Sequence, residues 1–217
     1  MEKSSLTVEE TREMLLHVCQ QMIGYTDILT EADKAIGDGD HGIGMARGFE
    51  AVSQKLAAGS YASLDQLLKI AGMTLITSIG GAAGVVFGTW FRDGAKNLGG
   101  VTALDARVLA AWLADGLAAV KERGKAKPGE KTMVDALEPA AVTSSQVAAA
   151  PLDEALAAVT EAARTGMEAT KDMIASVGRA KALGERSRSH PDPGAVSTYL
   201  ILKSMWEYAA EAMSPGQ

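Results

Sequence analysis

Apolar residues recur at three- and four-residue intervals along nearly the whole chain, the spacing of amphipathic helices. Thr7 and Glu10 stand as in a capping box, and Leu15, Val18, Met22 and Leu29 then share one helical face. The pattern predicts a first helix from Thr7 to the glycine- and aspartate-rich stretch that begins near Asp33. A second helix is predicted from about Gly42 to Ala58, where Gly59-Ser60 breaks it. Ser63 and Gln66 repeat the capping-box spacing ahead of Leu67, Leu68, Met73 and Ile76, a third helix. A fourth follows the glycines at 80–84 and continues through Trp90. Val108, Trp112, Leu113, Leu117 and Val120 mark a fifth, between Leu104 and Arg123. A sixth is expected from near Thr132, kinked at Pro139, because proline removes an N–H and crowds the preceding turn. Pro151 suits the first turn of a seventh helix, with Leu156, Val159, Ala163, Met167 and Ile174 on one face, and Pro193 suits that of the last. No segment reads as a strand. The expectation is an all-α chain, one domain over residues 1–217, with eight helices whose short connections imply an antiparallel bundle or barrel.

The breaks between these helices carry more information than the helices. Glycine-rich or charged breaks fall at 37–44, 80–84, 124–132 and 178–194. They separate helices 1 and 2, 3 and 4, 5 and 6, and 7 and 8. In an up-and-down bundle alternate junctions gather at one end, so all four should meet at one rim. Helix N-termini that follow such breaks would present backbone N–H groups to a common anion.

Composition narrows the classes. Hydrophobic residues make up 47% of the 217 residues and aromatics only 5%, which suits helices better than a β-sandwich. The net charge of −6 argues against nucleic-acid binding. No apolar run reaches the roughly 18 residues of a membrane span, and the N-terminus has no signal-peptide core. The one cysteine, Cys19, lies in the apolar pattern of the first helix, so a buried thiol in a reducing cytoplasm is expected.

The candidate chemistry sits in Asp33-Lys34-Ala35-Ile36-Gly37-Asp38-Gly39-Asp40-His41-Gly42. Three aspartates and a histidine fall within nine residues. Carboxylates that close repel one another unless a cation lies among them. Oxygen-only ligands suit hard cations, and magnesium favours a few carboxylates completed by water and phosphate. The spacing points to a Mg²⁺–nucleotide phosphate site. An EF-hand fails, because starting at Asp38 its bidentate acid would fall on Phe49. The pattern Gly37-x-Gly39-x-x-Gly42 imitates a dinucleotide fingerprint, but no strand precedes it and Asp38 and Asp40 would repel a bare pyrophosphate. There is no Walker A sequence.

The run from Asp33 through Gly42, followed by Met45-Ala46-Arg47-Gly48-Phe49, resembles the nucleotide-binding L subunits of dihydroxyacetone kinases. Gly80-Gly81-Ala82-Ala83-Gly84, Lys131-Thr132-Met133-Val134-Asp135, Gly178-Arg179-Ala180 and Asp192-Pro193-Gly194-Ala195 resemble that family in the same order. The resemblance implies an eight-helix barrel with ADP or ATP and two Mg²⁺ ions at one rim. It implies Asp33, Asp38 and Asp40 as metal ligands and His41, Gly42, Ile43 and Gly44 as a phosphate loop. It likewise implies Ala82 and Ala83 as a second phosphate turn. Gly124, Thr132 and Met133 match nucleotide-pocket positions, and Asp192, Pro193 and Gly194 the last contacting segment. Arg179 is the expected phosphate arginine, with Arg186 its competitor; His17 and His190 are weaker candidates. Gly44 and Ala83 stand where the family often has Asn and Ser, so two side-chain donors are missing near the phosphates.

Phosphoryl transfer to a small ketose, dihydroxyacetone first, is the implied activity, with Asp33, Asp38, Asp40, His41 and Arg179 as the catalytic set. None of these residues is an obvious covalent anchor for a ketose. The resemblance therefore implies a separate K subunit that holds the substrate, and a phosphohistidine carrier of the sugar phosphotransferase system (an M subunit) that recharges bound ADP. ATP exchanging from solution is the alternative donor, and a nucleotide-sensing partner without catalysis the alternative role. A homodimer is compatible with the sequence.

Overall fold

A computed structural model describes residues 3–214. Nine α-helices are present among these residues: α1 (Val8–Gly24), α2 (Thr26–Ile36), α3 (His41–Ala58), α4 (Leu64–Ser78), α5 (Gly81–Gly94), α6 (Ala106–Gly124), α7 (Val134–Gln146), α8 (Leu152–Ala169) and α9 (Pro193–Met213). The all-α expectation holds, with a count of nine rather than eight. The predicted first helix is two: α1 stops at Gly24, the turn at Tyr25 has ψ near 8°, and α2 restarts at Thr26. Thr26 Oγ1 stabilises the break by donating to the Ile23 carbonyl at 2.6 Å. A two-residue antiparallel ribbon, Leu6–Thr7 with Ala103–Leu104, forms where the pattern predicts no strand.

Contacts run α1–α3, α3–α4, α4–α5, α5–α6, α6–α7, α7–α8, α8–α9, and α9 returns to α1. Eight helices thus close a ring, and α2 lies outside it against α3 and α9. Local chemistry explains several ends. The Thr7/Glu10 capping box is complete, with Glu10 N donating to Thr7 Oγ1 at 3.2 Å and Thr7 N to Glu10 Oε2 at 2.8 Å. The Ser63/Gln66 box does not form. Ser63 Oγ donates to Asp65 Oδ1 and Gln66 Oε1 accepts from Ala62 N instead. Ile174 lies beyond α8, past a 3₁₀ turn at Thr170–Asp172, so it is not on that helix's face. Pro139 stays inside an unbroken α7, and Gly166 of α8 seats against its ring and the Asp135 carbonyl. Among the described residues no helix is long and apolar enough to cross a membrane.

The ring closes around one apolar core cluster. Trp90 of α5 and Trp112 of α6 stack at 5.3 Å with Phe91 edge-on to both. Two glycines make that stack possible: a Cβ on Gly94 would meet Trp112 at 2.7 Å, and one on Gly116 would meet Trp90 at 2.5 Å. Each helix therefore opens a seat for the other's indole. Cys19 is buried on α1, and burial pushes its thiol up to about 12, so it is inert at neutral pH.

Gly116→Ala should lower stability by about 1–3 kcal/mol through overpacking, although alanine ordinarily gains about 1 kcal/mol over glycine in a helix. Gly24→Ala, where nothing lies within 4 Å, should be neutral or stabilising. Urea denaturation of both variants checks the opposite signs.

Candidate nucleotide and metal site

The glycine-rich junctions meet at one end of the ring. They line a cleft of about 590 Å³, within the range of small-ligand sites. The junctions before α3, α5, α7 and α9 all contribute, as the parity of the breaks requires. A larger groove of about 810 Å³ lies elsewhere, between α1, α3 and α9, and His17 faces it rather than the cleft.

Asp33 ends its run on α2 nearly buried, and the 37–40 turn folds Asp38 and Asp40 back towards it. One oxygen from each of the three lies within 4.8 Å of the others. Gly39, with φ 78°, supplies the left-handed turn that brings the two later aspartates round. Gly37 is pressed so closely on the Asp33 carboxylate that a Cβ would sit 2.0 Å from its oxygen. The Arg179 guanidinium pairs with Asp38 and lies 3.5 Å from Asp40. An oxygen-only set that draws in a positive group has the donor chemistry a hard divalent cation needs.

Two helix N-termini open on the cleft. Gly80 (φ 83°) and Gly81 (φ 58°) turn the chain into α5, and no side chain caps it, so the N–H groups at Gly81, Ala82 and Ala83 are free for an anion. At α3 the His41 N–H donates to Asp33 Oδ2 at 3.2 Å. The other two are already occupied: Asp192 caps α9 through Ala195 N at 2.8 Å, and Thr132 Oγ1 accepts from Val134 N at the start of α7. Arg47 fixes the approach to α5 by donating to the Ser78 and Ile79 carbonyls at 2.7 and 2.5 Å.

Part of the lining is apolar. Val86, Val120, Ala126, Met133 and Val134 form it, and Gly124 and Thr132 line the cleft with them. The loop before α7 is folded by Asp135, which accepts from Gly129 N at 2.5 Å and Thr132 N at 2.7 Å.

His41, Ile43, Gly44, Ala82, Ala83, Gly124, Thr132, Met133, Arg179, Asp192, Pro193 and Gly194 all line the cleft with the three aspartates. Gly42 does not. A Cβ there would meet the Thr26 carbonyl and Thr30 Oγ1 at 2.3 Å, so this glycine lets α3 lie on α2. Arg186 is exposed and outside the lining. His190 offers its carbonyl, which accepts from Lys131 Nζ at 2.6 Å. Arg47, Lys131, Val86 and Val120 line the cleft without any role expected of them from sequence, although Arg47 and Lys131 lie inside two of the motifs.

Burial favours the neutral form of two acid–base groups that line the cleft. Burial lowers the His41 pKa, against the pull of Asp33 and of a bond to the Pro193 carbonyl, and its Nε2 lies 2.7 Å from Ser197 Oγ. Burial pushes Asp192 up to about 7, with Asp135 adding to it and the N–H groups of Ala195 and Gly194 and the Lys131 charge opposing.

A family profile described as the DAK2 domain matches residues 35–207. The chain is 41% identical over 178 residues to "PEP-dependent dihydroxyacetone kinase 1, ADP-binding subunit DhaL" of Listeria innocua serovar 6a, covering 82% of this chain and 85% of that one. It is 40% identical over 184 residues to the corresponding PEP-dependent ADP-binding subunit of Escherichia coli K12, covering 83% and 87%. The crystal structure of the dihydroxyacetone kinase from C. freundii in complex with AMP-PNP and Mg²⁺ superposes with a TM-score of 0.72 at 25% identity, over 95% of this chain and 35% of that one.

Between about pH 4 and 7 the folded chain holds a proton on Asp192 that the unfolded chain has released, so this group's contribution falls as pH rises. His41 acts oppositely: below about pH 6.5 the unfolded chain takes the extra proton, and stability falls as pH falls. Asp192→Asn leaves the His41 trend alone. Its stability relative to the parent should therefore rise from about pH 4 to 7 and then level off, in denaturation midpoints measured across that range.

Proposed function

Because the chain belongs to the DAK2 domain family, we propose that it is the nucleotide-binding subunit of a dihydroxyacetone kinase, holding ADP or ATP with Mg²⁺ and passing a phosphoryl group to a small ketose on a partner subunit. The observation that carries this reading is the meeting, across one cleft, of three carboxylates, an arginine and the uncapped N-terminus of α5.

The reaction asks for positioning and for charge at the phosphate oxygens more than for covalent chemistry. Magnesium, two ions in this reading, supplies Lewis-acid neutralisation of those oxygens when bound. Asp33, Asp38 and Asp40 would hold it, Asp33 from the last turns of α2 and the other two from the turn that follows. The free N–H groups of Gly81, Ala82 and Ala83 bind phosphate oxygens through the backbone, so Ala83 needs no hydroxyl to serve. Met133 would offer its thioether to the base, and Val86 and Val120 line the same cleft. Arg179, which pairs with Asp38 and Asp40, would offer its charge to the transferred group once a cation meets those carboxylates. His41 stays neutral, its ring held on α9 by Ser197 and Pro193, and it fixes the phosphate loop.

The cleft opens at the rim beside Ile43, which is 59% exposed, and a partner that seats the ketose there would complete the site. The bacterial relatives are named PEP-dependent and ADP-binding, which supports phosphoenolpyruvate as the ultimate donor; in the reading proposed, a phosphohistidine carrier relays its phosphoryl group onto retained ADP.

Asp38→Asn and Asp40→Asn should each weaken Mg²⁺–ADP binding by about 10- to 100-fold, the worth of one or two charge-assisted contacts, with helicity unchanged by circular dichroism. Mixed with a cognate substrate-binding subunit and dihydroxyacetone, the chain should yield dihydroxyacetone phosphate when phosphoenolpyruvate and its carrier proteins are supplied, and little with ATP alone. Turnover with ATP alone would assign the donor to exchanging nucleotide.

A further inference from the structure

Lys131 stands in the cleft wall without a part in the chemistry above. It is 2% exposed, and its backbone lies in the left-handed region at φ 63°. A buried ammonium is tolerated only where its donors are met. Here Nζ donates to the Thr170 carbonyl and, at 2.6 Å, to the His190 carbonyl. Burial lowers its pKa, while Asp192, Asp135 and Asp172 support the charge.

The two carbonyls belong to the two sides of one neck. The chain leaves α8 at Ala169, makes a long excursion that carries Arg179, and returns to start α9 at Pro193. Asp192 N donates to Thr170 Oγ1 at 2.9 Å and Ser189 N to the Lys171 carbonyl at 2.8 Å, closing the same neck. The body of the loop lies against α2 through its 3₁₀ segment and makes few hydrogen bonds to the rest of the fold. Ala175 N donates to Ser187 Oγ at 3.0 Å, and Ser176 N reaches the Glu130 carbonyl at 3.4 Å. The partners of the Arg179 guanidinium are Asp38 and Asp40, across the cleft.

We propose that Lys131 is a positioning residue: its ammonium clasps both sides of the 170–192 loop to the start of α7, so that the wall carrying Met133 and the loop carrying Arg179 move as one body. Lys131 immediately precedes Thr132 and Met133, so one side chain joins the base end of the cleft to its phosphate end. Two carbonyls fastened at a neck restrict every residue beyond them, because the loop's freedom grows from where its ends are held. This inference rests on the nucleotide reading for its functional consequence, but the clasp itself is readable without nucleotide.

Lys131→Met removes the ammonium and retains the bulk of the stem; Lys131→Gln serves if that variant does not fold. Amide hydrogen exchange on the full chain should accelerate about tenfold or more across 171–191 in the variant, with α1 to α9 unchanged. Calorimetry of Mg²⁺–ADP on the parent, Lys131→Met, Arg179→Ala and the double variant then reads the coupling. Arg179→Ala should cost about tenfold in the parent and less than about twofold in the Lys131→Met background, because the arginine is already displaced. Equal costs in both backgrounds would overturn the proposal, as would unaltered loop exchange or lost protection spread through α7 to α9, which would mark a general support of the fold. If the parent itself does not bind Mg²⁺–ADP, the nucleotide reading fails and the exchange pattern alone decides the clasp.

Discussion

Three carboxylates held within reach of one another must be met by positive charge, and the architecture of this chain answers to that need. At an effective dielectric near 20, two such charges 4.8 Å apart repel by about 3–4 kcal/mol. Asp38 and Asp40 feel less, being half or more exposed. Asp33 cannot retreat, since it is nearly buried on the last turns of α2 and its carboxylate is hemmed in by Gly37. Arg179, 139 residues from Asp40 in sequence but on a segment that lies against α2, neutralises the pair on the turn. The segments that make the site are held together by an attraction that a divalent cation and a phosphate group would extend.

The ring of helices is what lets segments more than a hundred residues apart meet. Closure from α9 to α1 fixes both ends of the chain, and alternate junctions then share one rim. Small residues set the spacing: Gly94 and Gly116 seat the stacked indoles, and Gly166 takes the Pro139 ring. The core stays tight below the rim while the rim stays open. α5 is central to both. Its indole-bearing face anchors the core, and its uncapped first turn faces the cleft.

Much of this was legible in the sequence, for physical reasons that can be named. Helical periodicity located the eight ring helices, because each buries one continuous stripe. The aspartate–glycine run picked out the three carboxylates that the structure brings within 4.8 Å of one another, because two glycines in the turn let the chain fold back on itself. The parity of the polar breaks brought four distant segments to one end. What escaped was decided by tertiary contacts. The break at Tyr25 is signalled only by Gly24, while the apolar period runs on through Leu29 as if the helix continued. The Ser63 spacing was right, but the side chains found Asp65 and Ala62 instead. The family resemblance implied Gly42 in the phosphate loop, yet it lies outside the cleft lining and is used for helix packing. Nothing in the letters marks Lys131 as buried, since a lysine in a glycine- and charge-rich loop ordinarily faces water.

If the carboxylate cluster binds nucleotide through a divalent cation, affinity for ADP must depend on that cation. Isothermal titration of the purified chain with ADP, once with millimolar Mg²⁺ and once in a chelator, measures the dependence. One saturable site is expected with magnesium, and a loss of at least about a hundredfold in affinity without it, the equivalent of about 2.7 kcal/mol. Equal affinity in both titrations would refute the metal-bridged site.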